Sequence, residues 1–286
     1  MSKKQRNIIQ IGLNASEKLP FLKPMLKFFY KKLIKKHYVA PSKPPKFSGW
    51  GMTTTSQHPW IDEFSCDIFR QSCESLQKFQ FTPSTVNEPI DEYMYTLNYR
   101  HYFVSFCANY AINSVDTSNH IFVECGVNDG ITAFFALNEL SSKLGSNFKM
   151  HLYDSWAAMK KEHLLDSEID FNEGAYNDAS IDRTKSNLDQ FKKNLIYHHG
   201  YIPDTFSNHH DSPNDISYLS VDLNSTKPTM ATLEFFFSKL LKGGIIIFDD
   251  YGNTNYPDTK NAIDKFFSNK QGTLMKLPTG QAIYFN

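Results

Sequence analysis

From residue 120 onward, short apolar runs alternate with longer segments in which apolar side chains recur at helical spacing. The short runs predict β-strands, and the longer segments predict amphipathic helices. The predicted strands are residues 121–125, 151–153, 195–198, 216–221, 245–248, 274–277 and 282–285. The predicted helices are residues 131–144, 180–193, 228–241 and 258–267. This alternation predicts an α/β fold, in which a doubly wound, Rossmann-like, seven-stranded sheet carries helices on both faces.

Residues 1–118 lack this alternation and predict a mostly helical N-terminal extension, followed by the sheet domain at residues 119–286. Within the extension, residues 23–36 combine an apolar stripe at helical spacing with six lysines. Such a basic amphipathic helix can lie weakly on an anionic membrane surface, or its apolar stripe can pack on its own domain or on a second copy in a homo-oligomer. Residues 88–116 predict a second helix, rich in aromatic side chains.

The composition narrows the class of protein. With 286 residues, of which 41% are hydrophobic, the chain can bury a sizeable core. Its 30 basic and 30 acidic side chains cancel, whereas proteins that bind long stretches of nucleic acid usually carry a net positive field. The apolar runs are too short to span a bilayer, and no leader pattern opens the chain. The four cysteines show neither metal-ligand spacing nor a disulfide framework, so we expect a cytoplasmic protein.

The turn after the first strand has the composition of a cofactor loop. Gly126 and Gly130 allow a sharp turn before a helix, whose N-terminus offers free N–H groups. A dinucleotide site would favour glycine where Asn128 stands, and Glu124 would repel phosphates. S-adenosylmethionine, which carries an ammonium and a sulfonium, suits the acidic loop better. Asp154, at the end of the second strand, is placed to bind ribose hydroxyls. The alternative is an ordinary glycine turn between a strand and a helix.

Three aspartates follow two apolar strands that should be neighbours in the sheet. Asp222 comes directly after residues 216–221, and Asp249 and Asp250 come directly after residues 245–248. The three carboxylates should therefore converge at one edge, where they can bind a magnesium ion and so lower the pKa of an acceptor hydroxyl. The alternative assigns these aspartates to helix caps and turns, in which Asp is common.

The strings VECGVNDG, YDSW, GYIPDTF, VDLNST and GGIIIFDDYG, followed by a segment that includes Gln281, resemble the macrocin-type O-methyltransferases. These are class I methyltransferases that modify sugars of macrolide antibiotics, and the resemblance runs from about residue 121 to residue 285. It implies S-adenosylmethionine as donor and Mg²⁺ or Mn²⁺ held by Asp222, Asp249 and Asp250. The implied donor site comprises Glu124, Gly126, Val127, Gly130, Ile131, Asp154, Ser155 and Gly200.

The chain departs from the family at Asn128 and Asp129, where an aromatic and a basic residue are usual. Because family members use diverse acceptors, we expect a sugar, a glycoconjugate or another small polar molecule rather than a macrolide in particular. The N-terminal extension would then cap the acceptor site.

The sequence offers several candidate bases that could remove the proton of the acceptor hydroxyl. Asp222 can serve as both metal ligand and base, and His163, His198 and His199 are the alternatives. Residues 156–177 form a loop long enough to be an active-site lid. The competing functions are a metal-independent N- or carboxyl-methyltransferase, a non-catalytic nucleotide-binding protein, and a membrane-associated interaction protein.

Overall fold

The computed structural model describes residues 67–86, 89–207 and 212–286. These residues belong to the compact unit that spans His58–Asn286. The basic amphipathic helix predicted at residues 23–36 therefore lies outside the described residues. Within the described ranges, each helix is too short or too polar to cross a bilayer.

A single seven-stranded sheet organises the described part of the chain. Its strands are β1 (His120–Cys125), β2 (Phe148–Asp154), β3 (Leu195–His199), β4 (Ile216–Val221), β5 (Leu240–Phe248), β6 (Thr273–Lys276) and β7 (Ala282–Phe285). Their order in space is β3-β2-β1-β4-β5-β7-β6. The first five pair in parallel, and β7 pairs antiparallel with both β5 and β6. The chain order reverses at β1, so a ligand crevice is expected beside the ends of β1 and β4.

Two helices precede β1, and the other helices lie between strands, as the alternating pattern predicts. They are α1 (Asp67–Ser75), α2 (Ile90–Ser114), α3 (Ile131–Leu144), α4 (Ile169–Asn172), α5 (Ile181–Asn187), α6 (Thr226–Phe236) and α7 (Pro257–Phe267). The predicted aromatic helix forms as α2, and α3 has the predicted bounds. Ser180 caps α5 through a hydrogen bond from the Arg183 N–H, as predicted. However, α5 ends at Asn187 and gives way to a 3₁₀ turn at Asp189–Phe191, so the predicted helix is too long.

Two hydrophobic cores cover the two faces of the sheet. Successive side chains of a strand point to opposite faces. Accordingly, Ile245 and Ile247 of β5 belong to the core that also contains buried residues of α2 and α3. Ile246 and Phe248 belong to the other core, with buried residues of α6 and α7. Each fully buried side chain of this size contributes about 1.5–3 kcal/mol. Burial of both faces explains why residues 245–248 of β5 are all apolar.

The predicted boundary between α6 and β5 is wrong. The pattern predicts a helix that continues to residue 241 and ends before Gly243, but α6 ends at Phe236 and β5 begins at Leu240. The reason is a register shift between Ile216 and Tyr218 of β4, where β5 contains extra residues. Gly243 occupies this irregularity at φ +79°, where a Cβ would lie 2.5 Å from the Ser114 carbonyl oxygen. This glycine therefore permits close packing on the end of α2, rather than a helix end.

Candidate active site

A cavity of about 620 Å³ opens at the carboxyl ends of the central strands. Its wall includes residues that follow β1, β2, β4 and β5, together with one side of α2 and the loop after β2. Ligands of doubly wound sheets bind in this position because the loops after the parallel strands meet there. Among the predicted donor-site residues, those on the wall are Gly126, Val127, Ile131, Asp154, Ser155 and Gly200.

The glycine loop after β1 makes close contacts with two neighbouring elements. Gly126 has φ +85°, and a Cβ there would lie 1.7 Å from the carbonyl oxygen of Asp222. Gly130 has φ +84° and stands directly before α3, and a Cβ there would lie 2.9 Å from a Leu188 methyl group. Both positions require glycine, but only Gly126 lines the cavity. Gly130 instead lets the loop pack against the segment after α5.

Asp154 is bound to the glycine loop by hydrogen bonds. One of its carboxylate oxygens accepts the backbone N–H groups of Val127 at 2.6 Å and Asn128 at 2.8 Å, and the other accepts that of Trp156 at 2.6 Å. A carboxylate has about four lone-pair sites, so these bonds leave capacity for a ligand hydroxyl. Gly200 lies beside this group and donates its N–H to the Asp154 carbonyl oxygen at 2.9 Å. Asp154 therefore orders the loop as well as facing the cavity.

Glu124 lies beneath the loop rather than on the cavity wall. Its side chain is 0% exposed, and neither carboxylate oxygen has a partner with hydrogen-bond geometry. Burial raises the pKa of Glu124 well above its usual range, the nearby Ala133 amide only partly opposes this, and the negative charge of Asp154 adds to it. An unpaired buried carboxyl group of this kind strongly favours a nearby positive charge.

The three aspartates predicted from the strand ends do converge. Asp222, Asp249 and Asp250 each offer a carboxylate oxygen, and these oxygens lie within 4.8 Å of one another. Backbone hydrogen bonds across the sheet hold them there. Asp222 donates its N–H to the Cys125 carbonyl at 2.9 Å, and Asp249 donates to the Val221 carbonyl at 3.0 Å. The register of β1, β4 and β5 therefore sets the spacing of the cluster.

The cluster carries more negative charge than its protein surroundings neutralise. Burial and the charges of Asp249 and Asp250 raise the pKa of Asp222 well above its usual range. Burial and the charge of Asp249 raise the pKa of Asp250 to about 6. Arg100 opposes both shifts, without cancelling either. Such mutual repulsion is typical of carboxylates that share a site.

Arg100, on α2, is a site residue that the sequence analysis does not predict. Its guanidinium forms an ion pair with the Asp249 carboxylate, and it also donates to the backbone carbonyls of Asp249 and Thr279, each at 2.8 Å. The buried Gln281 donates to the Asp249 carboxylate at 2.9 Å. The sequence does contain one indication of its role, because Arg100 is the only arginine or lysine in α2.

The loop after β2 forms one side of the cavity and is pinned to the β4–α6 turn. The buried Glu168 accepts hydrogen bonds from Ser225 Oγ at 3.0 Å and from the Thr226 N–H at 2.9 Å. Asn172 donates to the Asn224 carbonyl at 2.7 Å. Because Asn224 also donates its backbone N–H to Asp250 at 3.0 Å, the loop is tied to the same turn that supports the aspartate cluster.

Of the three histidines proposed as bases, only His163 lines the cavity. Its ring stacks on that of Tyr201 with centroids 4.8 Å apart. His198 stacks on Tyr153 at 3.9 Å and hydrogen-bonds to His151 at 2.9 Å, so it is a packing residue of the sheet. His199 is exposed and contacts the Ser155 carbonyl at 3.0 Å.

Trp156 supports the glycine loop, and two tyrosines line the cavity. The buried Trp156 donates its indole N–H to the Asn128 carbonyl at 3.0 Å and to Thr184 Oγ1 at 2.8 Å, so it supports the glycine loop from outside the cavity. Tyr176 and Tyr256 line the cavity and are absent from the sequence analysis. Burial raises the pKa of both phenols, that of Tyr256 to about 12. The negative charge of Asp222 adds to the shift at Tyr176, and that of Asp250 adds to the shift at Tyr256.

Comparison with known proteins matches this chain to a family of methyltransferases. The model of the macrocin-O-methyltransferase family matches residues 107–278. Among solved structures, the O-methyltransferase NovP is similar with a TM-score of 0.57 and 19% identity, over 65% of this chain and 79% of NovP. The calicheamicin methyltransferase CalS11 is similar with a TM-score of 0.51 and 18% identity, over 83% of this chain and 99% of CalS11. No protein with a curated description matches significantly. At these identities, the two structures show the shared fold.

Proposed function

The chain belongs to the macrocin-O-methyltransferase family, and we propose that its methyl transfer is metal-dependent and directed to a hydroxyl of a sugar or similar small polar acceptor. As a member of this family it is an S-adenosylmethionine-dependent methyltransferase. The observation that carries the proposal is the juxtaposition of the donor loop and the aspartate cluster. Gly126 packs directly on the backbone of Asp222, and both residues line the same cavity.

The donor set of the cluster suits a hard divalent cation. Three carboxylate oxygens lie within 4.8 Å of one another, and oxygen ligands of this kind are those that Mg²⁺ and Mn²⁺ prefer. Burial and the charges of the neighbouring aspartates raise the pKa of Asp222 and of Asp250, so a nearby positive charge would stabilise the ionised carboxylates. A bound divalent ion would supply that charge and make an acceptor hydroxyl more acidic. Asp222, Asp249 and Asp250 are the residues that would hold it.

Different residues of the cavity bind the donor and accept the hydroxyl proton. Val127, Asp154 and Gly200 face the donor part of the cavity, and the spare lone pair of Asp154 can accept a ribose hydroxyl. Asp222 is the proposed base, because it stands between the donor loop and the other two aspartates. The methyl group passes from the sulfonium to the acceptor oxygen, the hydroxyl proton leaves to the base, and S-adenosylhomocysteine is released. Arg100 pairs with Asp249 and orients its carboxylate.

The cavity wall is consistent with a polyhydroxylated acceptor. Beside the carboxylates it offers the amide of Asn224 and four tyrosine rings, namely Tyr93, Tyr176, Tyr201 and Tyr256. Aromatic faces and carboxylate or amide acceptors suit the apolar faces and hydroxyls of a sugar. The family description names macrocin as the acceptor of its type member, and the relative CalS11 is a calicheamicin methyltransferase.

One observation favours a metal-independent methyltransferase of the same fold. The ion pair between Arg100 and Asp249 already neutralises one carboxylate of the cluster, and a proton shared by Asp222 and Asp250 would neutralise another. In that arrangement, Asp222 alone would act as base, and the cluster would need no cation. Sensitivity to chelation separates the two functions.

The test is a methyl-transfer assay with labelled S-adenosylmethionine and a panel of methyl glycosides and nucleotide sugars. We expect label in an O-methyl ether, loss of turnover in excess chelator, and recovery with Mg²⁺ or Mn²⁺. Asp249→Asn should lower turnover by about a hundredfold, roughly 3 kcal/mol of transition-state stabilisation, and added metal should not restore it. Asp189→Asn, an exposed carboxylate paired with Lys192, is the matched control. If the wild type keeps full turnover in excess chelator, the metal-dependent function is wrong and the metal-independent function is supported.

A further inference from the structure

A segment of the N-terminal region is fastened to the donor loop by a dense polar network. Residues 80–85 run between α1 and α2, and the network holds them against the Asn128–Asp129 corner of the glycine loop and against α5. The segment reaches the site itself, because Ser84 and Thr85 line the cavity together with Asn128 and Asp129. We call residues 80–85 the strap.

Thr82 and Asp129 form the centre of the network. Thr82 is 0% exposed and Asp129 is 2% exposed. The Asp129 carboxylate accepts both the backbone N–H and the hydroxyl of Thr82, the latter at 2.6 Å. Arg183 donates to the same carboxylate at 2.8 Å and to the Thr82 hydroxyl at 2.9 Å. A buried ion pair whose members share a hydroxyl between them is both strong and directional.

Two further attachments flank this centre. On one side, the Asn187 amide accepts the Gln80 N–H at 2.9 Å and donates to the Gln80 carbonyl at 2.8 Å. On the other side, the Asp178 carboxylate accepts the Ser84 backbone N–H at 2.9 Å as well as the Ser84 hydroxyl. Arg183 joins the centre to the Ser84 end, because it also donates to the Asp178 carbonyl oxygen at 2.6 Å. The strap is therefore held at three points along its length.

The network continues into the donor site without a break. The Thr82 hydroxyl also lies 2.9 Å from the Asn128 side-chain oxygen, so its one hydrogen is shared between this oxygen and the Asp129 carboxylate. Asn128 has φ +45°, a left-handed conformation that is uncommon outside glycine, and its backbone N–H donates to Asp154 at 2.8 Å. The Thr82 hydroxyl thus helps to fix the residue whose backbone orients the Asp154 carboxylate.

From this continuity we propose that Thr82, Asp129 and Arg183 are positioning residues for the donor, which set the affinity for S-adenosylmethionine by fixing the Asn128 conformation and closing the cavity wall with the strap. The proposal rests on the donor site described above and assigns a function to Asp129. It implies that donor binding depends on a region that is remote in sequence from the glycine loop. The three residues act through Asn128 and Asp154, and none of them is a catalytic residue.

Substitutions at Thr82 separate positioning from simple packing. Thr82→Val keeps the shape of the side chain but removes the hydroxyl, so Asn128, Asp129 and Arg183 each lose a partner. Thr82→Ser keeps the hydroxyl but removes a buried methyl group. If the network positions the donor, Thr82→Val should weaken S-adenosylhomocysteine binding about tenfold, equivalent to about 1.4 kcal/mol. Thr82→Ser should bind within about twofold of the wild type, although it melts at a lower temperature.

The experiment is calorimetry of S-adenosylhomocysteine binding to the full chain, with thermal unfolding of each variant. Asp178→Ala, which releases only the Ser84 end at a more exposed position, is the second variant, and we expect it to weaken binding about threefold. Asp264→Asn breaks the ion pair with Lys260 on α7, away from the cavity, and should change stability without changing affinity.

Equal affinity of the wild type and of Thr82→Val would overturn the proposal, and so would an equal loss in Thr82→Val and Thr82→Ser, since the effect would then follow packing. If Thr82→Val does not fold, unchanged affinity in Asp178→Ala overturns the proposal instead. Failure of the wild type to bind S-adenosylhomocysteine is a different result, because it removes the donor site itself.

Discussion

Gly126 stands so close to Asp222 that a single added carbon on Gly126 would lie 1.7 Å from the Asp222 carbonyl oxygen. The donor loop after β1 and the first residue after β4 are therefore in direct backbone contact. This contact sets the distance between the glycine loop and the aspartate cluster. Glycine is therefore required at position 126 by this contact as well as by its φ of +85°.

Gly126→Ala should abolish donor binding and displace Asp222. The added methyl group overlaps backbone atoms that cannot move without breaking the Asp222–Cys125 hydrogen bond. Calorimetry with S-adenosylhomocysteine and circular dichroism would measure binding and folding. Gly145→Ala is the matched control, because Gly145 also has a positive φ of +62° but open space around it. We expect this control to lose about 1–3 kcal/mol of stability with donor affinity intact. Unchanged affinity in Gly126→Ala would show that the contact does not matter for the donor.

Asp154→Asn should weaken S-adenosylhomocysteine binding by about 1.5–3 kcal/mol. The amide nitrogen would replace an oxygen that accepts backbone N–H groups, so either Trp156 or the Val127–Asn128 pair would face another donor. The exposed Asp182 on α5, changed to Asn, controls for the lost charge. Wild-type affinity in Asp154→Asn would mean that Asp154 neither binds ribose nor orders the loop.

His163→Gln should retain turnover within about tenfold of the wild type, because Asp222 is the proposed base and His163 is stacked on Tyr201. His198→Gln is the comparison, since His198 packs in the sheet away from the cavity. The measurement is kcat across pH 5 to 9. A loss of several hundredfold in His163→Gln, together with disappearance of a histidine limb in the pH profile, would transfer the role of base to His163.

The order of strands and helices follows from the hydrophobic pattern because local spacing records which face is buried. The aspartate cluster is predictable for a related reason, since Asp222 and Asp249 each follow an apolar parallel strand directly. The start of β5 is not predictable in this way. Leu240 and Gly243 fit a helix end as well as a strand, and only the register with β4 decides between them.

Residues from the N-terminal region escape sequence reasoning for a different reason. Arg100 contacts Asp249, which is 149 positions away, and Thr82 contacts Arg183, which is 101 positions away. No local periodicity encodes such pairings. The double role of Asp154 is hidden as well, because its three backbone partners become visible only when the loop is folded.

Asp250→Asn should stabilise the metal-free protein at pH 8. The pKa of Asp250 is raised from 3.8 to about 6 by burial and by Asp249, so the folded chain holds a proton that the unfolded chain has released. The ionised group therefore opposes folding above pH 6, and this cost disappears as pH falls through 6 toward 4. Asparagine retains the acceptor for the Asn224 N–H without the charge.

Thermal unfolding in chelator would measure this effect. We expect Asp250→Asn to melt about 2–4 °C above the wild type at pH 8, with the difference shrinking toward zero below pH 5. Added Mg²⁺ should raise the melting temperature of the wild type and reverse the order. Asp189→Asn should show no such pH dependence. A variant that is less stable than the metal-free wild type at pH 8 would indicate that the carboxylates do not repel one another.

The most direct test of the aspartate cluster as a metal site is a Mn²⁺ titration without acceptor, in which electron paramagnetic resonance measures the free and bound ion. We predict a single saturable Mn²⁺ site per chain in the wild type and in Asp189→Asn, displaced by excess Mg²⁺. Affinity should fall at least about tenfold, or about 1.4 kcal/mol, in Asp249→Asn and in Asp250→Asn. Absence of a saturable site in the wild type, or equal affinity in the cluster variants and the control, would contradict the assignment of Asp222, Asp249 and Asp250 as metal ligands.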